Sequence, residues 1–237
     1  RKHALTEKMI NRDEYMKLFQ NNLYGYADIF LPCGGRPSTI NITNYLDYLP
    51  EGKPSSRAIV EGANSFITPD ARIKLQEAGI PIVKDASANK CGVITSSYEI
   101  LSGLMLDETE FQEVKPRLVK EIMERLAKLA QGEAEWLFAM HRSTGKFLTE
   151  LTDELSGEIN RKNTEISLYL GKHPELIDDK VILAHLPKLF SEKYRDRLSR
   201  IPAEYRRAIV SVELATRIVY HQSNMLVYEI NAAMASI

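Results

Sequence analysis

Short apolar runs alternate with helical signals in the first part of the chain. β-Branched and other apolar residues dominate residues 27–33, 57–61 and 80–84, and Gly, Pro or Ser residues bound each run. Runs of this length and composition are typical of buried strands. The pattern therefore predicts three strands.

Two helix signals lie between these strands. The Ser-Thr pair at 38–39 could cap a helix over residues 40–49. Thr68 could cap a second helix, with Pro69 at its first position and Gly79 as the left-handed residue beyond its end. Such alternation predicts parallel strands with right-handed crossovers, as in one half of a doubly wound sheet.

From Asp107 onward the apolar positions follow the helical period. Asp107 and Glu110 have the spacing of a capping box, and Pro116 is expected to break or restart the helix. No strand is predicted after Leu106. Three apolar stripes follow, namely Leu118, Ile122, Leu126 and Leu129, then Leu148, Leu151, Leu155 and Ile159, and then Ile209, Val212, Ala215, Ile218, Val219, Leu226 and Ile230.

The periodicity therefore predicts an α/β part over residues 1–106 and an all-α domain over residues 107–237. The sharpest candidate boundary lies at residues 104–107. The first few residues of the chain carry a polar helical pattern that could pack on either part.

Composition and charge exclude several classes of function. The 237 residues carry 31 basic and 32 acidic side chains, so a nucleic-acid or anionic-membrane partner is not expected. The two cysteines have no CxxC spacing and the five histidines show no i, i+4 pairing, so no metal site is predicted. No apolar run reaches the length of a membrane span. We expect a soluble, cytoplasmic protein, and the start at Arg1 rather than Met indicates a segment of a longer one.

Polar turns follow the predicted strands at the edge where open parallel sheets bind ligands. Gly34 and Gly35 follow the first strand, Asn64 follows the second and Asn89 follows the third. Neither G-x-G-x-x-G nor a P-loop occurs, so a self-contained nucleotide site is not predicted. From the residues alone, each Asn fits a ligand contact and a self-stabilised turn equally well, and the glycine pair is more typical of a plain turn.

Three linked motifs resemble the NAD-dependent glutamate dehydrogenases of the Glu/Leu/Phe/Val dehydrogenase superfamily, particularly the large bacterial type. They cover roughly residues 27–100. The first is DIFLPC at 28–33, the second is VEGAN at 60–64 with Thr68 and Ala71, and the third comprises Asp85, Asn89, Gly92, Val93, Ser96 and Glu99.

The resemblance implies the C-terminal part of such an enzyme. The fold class would be α/β, with a partial Rossmann-type parallel sheet (the C-terminal half of the NAD-binding domain) followed by an all-α helical domain. It implies that Cys33, Gly34, Ala63 and Asn64 contact NAD and that Asn89 borders both the cofactor and the substrate.

The resemblance also implies the substrate-binding residues. It places Val93 and Ser96 beside the side chain of L-glutamate, where a hydroxyl group suits a carboxylate. The family's catalytic lysines belong to a domain that is not part of this sequence, so no catalytic residue is assigned. The implied reaction of the full-length enzyme, expected to be a homo-oligomer, is oxidative deamination of L-glutamate to 2-oxoglutarate and ammonium, and the segment alone is expected to be inactive.

Departures from the family pattern leave two alternatives open. Family members commonly have Asn-Ala-Gly-Gly-Val where this chain has NKCGV at 89–93, and the turn at 34–37 also differs from smaller members. One alternative is a regulatory or oligomerisation module with a degenerate nucleotide-binding fold. The other is a dehydrogenase for leucine, phenylalanine or valine. Ser96 would distinguish a glutamate enzyme from this alternative.

Overall fold

The structure of the protein is a computed structural model that describes residues 27–220. The chain divides into two compact units. Among the described residues, the α/β unit comprises 27–89 together with 147–149, and the helical unit comprises 90–146 and 150–220. The expected N-terminal helix and the last stripe positions, Leu226 and Ile230, lie outside the described residues.

The division at Asn89 lies ahead of the boundary predicted at 104–107. The helix that follows Asn89 contributes Tyr98, Leu101 and Met105 to the core of the helical unit, which explains the earlier position. The assignment of functional domains to residues 1–106 and 107–237 stays a prediction.

A parallel three-stranded sheet forms the centre of the α/β unit. Its strands, in the order β1-β2-β3, are β1 (Ala27–Phe30), β2 (Ser56–Val60) and β3 (Ile82–Val83). Ile29 is opposite Ala58 on the neighbouring strand, and Ile59 is opposite Ile82. The prediction of three parallel strands is therefore confirmed.

The prediction that all three strands are buried is wrong for β1. This strand lies at the edge of the described sheet, and Ile29 and the adjacent Leu31 are 53% and 57% exposed. The central strand, by contrast, buries Ile59 completely. Edge position alone does not explain the difference, because β3 lies at the other edge and its Ile82 is fully buried. Ile82 belongs to the core cluster that contains Ala71 and Leu75, whereas Ile29 does not.

The helix predicted over residues 40–49 does not form. Ile40 instead makes a parallel bridge with Ile67, and two 3₁₀ helices follow, Tyr45–Tyr48 and Pro50–Gly52. The Asn44 side chain accepts a hydrogen bond from the Asn41 backbone N–H at 2.8 Å. Asn side chains that satisfy nearby backbone groups compete with α-helix formation, which explains the error.

The second predicted helix is α1 (Pro69–Glu77). Pro69 takes its first position, Thr68 precedes it in an extended conformation, and Gly79 beyond its end has a φ of +89°. The capping prediction at Thr68 is wrong in one respect, because its side chain makes no bond to the helix backbone and instead contacts Asp70. The helix packs Ala71 and Leu75 against the sheet core. The buried apolar residues of this unit are Ile40, Tyr48, Ile59, Phe66, Ile67, Ala71, Leu75, Ile80 and Ile82.

Helices make up the rest of the described chain, and no strand occurs after β3 up to residue 220. No helix between residues 27 and 220 combines the length and apolar character needed to cross a bilayer. The helices are α2 (Asp85–Ala88), α3 (Lys90–Met105), α4 (Glu108–Thr144), α5 (Leu148–Lys172), α6 (Asp179–His185), α7 (Lys188–Lys193) and α8 (Ala203–Tyr220), with 3₁₀ helices at Pro174–Leu176 and Arg195–Arg200.

The start of α4 confirms the predicted capping box. The Glu110 N–H donates to the Asp107 carboxylate at 2.9 Å, and the Asp107 N–H donates to the Glu110 carboxylate at 3.1 Å. The break predicted at Pro116 is wrong, because α4 continues through it to Thr144. Pro116 is exposed. Water can therefore reach the Gln112 carbonyl, whose helical partner the proline removes, while Leu118 and its neighbours hold the buried face.

The predicted apolar stripes are largely buried. Leu118, Ile122 and Leu126 lie in the core of the helical unit, but Leu129 is 41% exposed and Val212 is 37% exposed. Further buried positions come from shorter elements that the periodicity did not single out, namely α6, α7 and the 3₁₀ helix Arg195–Arg200 with the residues that follow α6 and that 3₁₀ helix. These positions are Val181, Ile182, Leu186, Leu189, Phe190, Leu198 and Ile201.

Candidate functional site

The turns that follow β1 and β2 touch each other at the carboxyl edge of the sheet. The Ala63 N–H donates to the Pro32 carbonyl at 2.7 Å. A Cβ placed on Gly62 would lie 3.1 Å from the Cys33 Sγ and 3.3 Å from the Pro32 carbonyl oxygen. Glycine at position 62 therefore allows these turns to approach, and Cys33 lies beside the turn that carries Ala63.

The two asparagines of the candidate site form a hydrogen-bonded pair. The Asn89 Nδ2 donates to the Asn64 Oδ1 at 2.6 Å, although 25 positions separate these residues in the chain. Asn64 is exposed and Asn89 is half-buried. The pair uses one donor of Asn89 and one acceptor site of Asn64, so the Asn64 amide NH₂ and the Asn89 Oδ1 retain their capacity to bond a ligand.

Backbone hydrogen bonds hold the loop after Cys33 against the turn after β2. The Ser38 N–H donates to the Ser65 carbonyl at 2.7 Å, and the Ile40 N–H donates to the Phe66 carbonyl at 3.1 Å. Gly34 is exposed, and no atom lies within 4 Å of the position a Cβ would take there. The surface formed by Cys33, Gly34, Ala63, Asn64 and Asn89 is therefore an ordered wall that is open to solvent, and we call it the amide wall.

Val93 and Ser96 lie on α3, which belongs to the helical unit. Both are exposed, Val93 to 77%, and their spacing of three residues places them on the same side of the helix. The Ser96 hydroxyl donates to the Gly92 carbonyl at 3.1 Å, within its own helix. The opposite side of α3 is fixed by Tyr98, whose hydroxyl donates to the His185 carbonyl at 3.0 Å.

Sequence reasoning missed a buried ion pair beneath the amide wall. Glu61 is fully buried, and its carboxylate accepts hydrogen bonds from the Arg72 Nε at 2.8 Å, the Arg72 Nη2 at 3.2 Å and the Ile67 N–H at 3.1 Å. Burial raises the pKa of Glu61, and the hydrogen bond from Arg72 opposes that effect. An acidic residue directly after a strand, followed by an Arg on the next helix, was the available signal.

Asp85 extends this pair towards the two asparagines. Its carboxylate accepts from the Ser65 N–H at 2.7 Å and lies 3.5 Å from the Arg72 Nη2. Its backbone carbonyl accepts from the Asn89 N–H at 2.8 Å. These contacts give Asp85 a structural role.

Lys90 and Tyr220 both bond to the Glu133 carboxylate. The Lys90 Nζ lies 2.7 Å from each carboxylate oxygen of the mostly buried Glu133. Burial, aided by the neighbouring Glu133 carboxylate, raises the pKa of Tyr220, whose hydroxyl bonds to Glu133.

Cys33 and Cys91 are exposed, so neither fills a core position. Among the described residues, no cluster of His, Cys, Asp and Glu could hold a metal ion.

Comparison with known families gives one match over most of the chain. Residues 2–140 match the family described as Glutamate/Leucine/Phenylalanine/Valine dehydrogenase. This range includes every residue of the amide wall as well as Val93 and Ser96.

Curated relatives extend the similarity into the helical part. The chain is 37% identical over 209 residues to the probable NAD-specific glutamate dehydrogenase of Schizosaccharomyces pombe, covering 82% of this chain and 19% of the relative. It is 36% identical to the NAD-specific glutamate dehydrogenase of Neurospora crassa, covering 83% and 20%, and 38% identical to glutamate dehydrogenase 2 of Dictyostelium discoideum, covering 86% and 21%. The chain thus spans about one fifth of the length of these relatives. They are eukaryotic, and the large bacterial type stays a prediction. No solved structure matches the chain.

Proposed function

The chain belongs to the Glutamate/Leucine/Phenylalanine/Valine dehydrogenase family, and we propose that it is a segment of a longer NAD-dependent glutamate dehydrogenase that supplies part of the cofactor pocket. The observation that carries this proposal is the Asn64–Asn89 amide pair at the carboxyl edge of a parallel sheet. In open α/β sheets this edge is where ligands bind. The curated relatives that carry NAD in their names support the choice of cofactor.

The groups on the amide wall suit the nicotinamide end of NAD. The free amide NH₂ of Asn64 can donate to a carbonyl oxygen, and the Asn89 Oδ1 can accept from an amide or ammonium group. Gly34 leaves space for a ring or ribose to approach the backbone. NAD, when bound, accepts a hydride from the substrate carbon. In our proposal Cys33, Gly34, Ala63, Asn64 and Asn89 hold and orient it.

We propose L-glutamate as the substrate, with Asn89, Val93 and Ser96 as its contacts. The support comes from the names of the relatives and from the exposed hydroxyl of Ser96, which can bond a side-chain carboxylate. The reaction of the full-length enzyme would be oxidative deamination to 2-oxoglutarate and ammonium. The general acid and base would belong to parts of that enzyme beyond this chain.

We also propose that the three strands are part of a larger Rossmann-type sheet. Ile29 on the edge strand β1 and the adjacent Leu31 are exposed, which supports this view, because a further strand and its covering helices would bury them. By family analogy we propose a homo-oligomer that acts in the cytoplasm.

The deciding experiment measures amino-acid-dependent NAD reduction by the full-length enzyme. We expect glutamate to give the highest kcat/KM, with leucine, phenylalanine and valine well below it. Asn64→Ala should lower kcat at least tenfold, because the nicotinamide would lose an orienting contact. Asn44→Ala is a matched control, since Asn44 only bonds the backbone of its own loop.

Two results would contradict the proposal. A higher kcat/KM with leucine or valine than with glutamate would favour a dehydrogenase for leucine, phenylalanine or valine. A full-length protein that is folded but inactive with every amino acid would instead favour a regulatory or oligomerisation module.

A further inference from the structure

One charged network contacts Asn89 and the turn that carries Asn64. Arg72 on α1 forms a forked pair with the fully buried Glu61 at 2.8 and 3.2 Å, and its Nη2 lies 3.5 Å from the Asp85 carboxylate. Asp85 in turn binds the Ser65 N–H through its side chain and the Asn89 N–H through its carbonyl.

The network lies where it can set the conformation of the turn that carries Asn64. Ser65, the next residue, has a φ of +53°, in the left-handed region that non-glycine residues adopt only when neighbouring contacts hold them. The Ser65 N–H bond to Asp85 is such a contact. On the other side of the turn, Glu61 accepts from the Ile67 N–H at 3.1 Å.

We propose that Arg72 is a positioning residue for the Asn64–Asn89 pair, acting through Glu61 and Asp85. Asp85 bonds to both turns, so its location fixes the separation at which the two side-chain amides meet at 2.6 Å. Arg72 fixes Asp85 relative to Glu61 at the end of β2. Its role in catalysis rests on the proposed function, whereas its role in ordering the turns does not.

The arrangement explains why a charged group is buried at this place. Arg72 and Glu61 are 7% and 0% exposed, and a buried ion pair contributes little net stability relative to apolar residues of similar volume. It does, however, impose a defined geometry, because the planar guanidinium meets a carboxylate in a fixed fork. Lysine retains the charge and lacks the fork, so Arg72→Lys separates these two properties.

The first test measures amide hydrogen exchange in the full-length enzyme. In Arg72→Lys we expect the Ser65 and Asn89 amides to exchange at least tenfold faster, while the β2 amides of residues 58–60 keep their rates. Arg57→Lys is the matched control, because Arg57 is exposed and pairs only with Asp28 on the neighbouring strand. If Arg72→Lys does not fold, Asp85→Asn gives the same comparison with a smaller change.

The second test measures kinetics as a double-mutant cycle with Asn64→Ala. Arg72→Lys alone should lower kcat about tenfold and change the KM for NAD less than threefold, since orientation rather than binding is lost. In the Asn64→Ala background the same change should lower kcat clearly less than tenfold, because the part of its effect that acts through Asn64 is already lost.

Three outcomes would overturn the proposal. These are unchanged exchange at Ser65 and Asn89, faster exchange that extends equally through β2, and effects on kcat that multiply independently in the cycle. A wild-type enzyme without glutamate-dependent activity would instead overturn the proposed function, and the exchange measurement would still decide the role of Arg72.

Discussion

At the scale of single residues, Ser96 is exposed and has a hydroxyl group that can be redirected to a ligand. Its present partner is the Gly92 carbonyl on its own helix, at 3.1 Å. Ser102 makes the same type of bond further along the helix, to the Tyr98 carbonyl at 2.7 Å, but it is buried. The two serines thus differ in access to a substrate rather than in local bonding.

This contrast predicts a change of substrate preference in Ser96→Ala. We expect kcat/KM for glutamate to fall about tenfold, or roughly 1.4 kcal/mol, and kcat/KM for leucine to change less than twofold. Ser102→Ala should leave the ratio of the two substrates unchanged. An equal loss for both substrates in Ser96→Ala would show that Ser96 does not contact the carboxylate.

Single residues also show how far the sequence could predict the site. Asn64 and Asn89 could be placed near each other because the carboxyl ends of parallel strands converge at one edge. Their direct bond could not be predicted, since it depends on side-chain rotamers. Arg72 was missed because the acidic residue after a strand and the Arg on the next helix indicate a pair only if the helix packs so that they meet, and Glu61 lies eleven positions away.

At the scale of elements, a sequence motif predicted the structure correctly where all its hydrogen-bond partners lie within one helical turn. The capping box formed by Asp107 and Glu110 predicted the start of α4 correctly. The helix predicted over residues 40–49 does not form, because other contacts compete with its backbone hydrogen bonds. Asn41 and Asn44 bond to the nearby backbone, and Ile40 pairs with Ile67 on a distant segment.

The box at the start of α4 predicts a specific loss of stability. Asp107→Ala should lower the free energy of unfolding by about 1 kcal/mol, because the Glu110 N–H would lose its acceptor. Asp107→Asn should stay within a few tenths of a kcal/mol of the wild type, since Asn caps about as well as Asp. Denaturant unfolding measures both, and equal losses in the two variants would contradict the cap.

The same element predicts a loss of stability in acid. The hydrogen bond from Arg197, aided by the Asp107 N–H, lowers the pKa of Glu110 from 4.5 to about 2. A lowered pKa means that the ionised group stabilises the fold fully above pH 4.5 and that this contribution disappears as the pH falls towards 2.

Comparison with Glu110→Gln measures this contribution. The stability difference between the wild type and Glu110→Gln should be constant above about pH 5 and should shrink below it. A difference that stays constant down to about pH 2 would show that Arg197 does not stabilise the ionised carboxylate.

At the scale of the whole molecule, our proposal gives the chain only part of a nucleotide pocket. The glycine-rich phosphate turn of dinucleotide-binding domains is absent from its sequence, and the amide wall is open to solvent. The long apolar stripes predicted the helical half correctly, because burial of one helix face follows from periodicity. The exposure of β1 could not be predicted, since it depends on which strands are neighbours.

An open wall predicts weak binding of NAD by the 237 residues alone. We expect a Kd weaker than about 1 mM in calorimetric titration, because one wall recovers little of the entropy lost on binding. The full-length enzyme should bind far more tightly under the same conditions. A micromolar Kd for the isolated segment would contradict the view that it supplies only part of the pocket.

The buried pair of Glu61 and Arg72 also bears on how this sequence can evolve. Replacing Arg72 alone by an apolar residue leaves the Glu61 charge uncompensated in the interior, at a cost of about 3–5 kcal/mol, and replacing Glu61 alone leaves Arg72 only its 3.5 Å contact with Asp85. An apolar pair of similar volume could be as stable as the original. Every route to such a pair by single substitutions therefore passes through a destabilised intermediate. Selection can thus retain the ion pair because the singly substituted proteins are less stable, even where the ion pair and the apolar pair are equally fit.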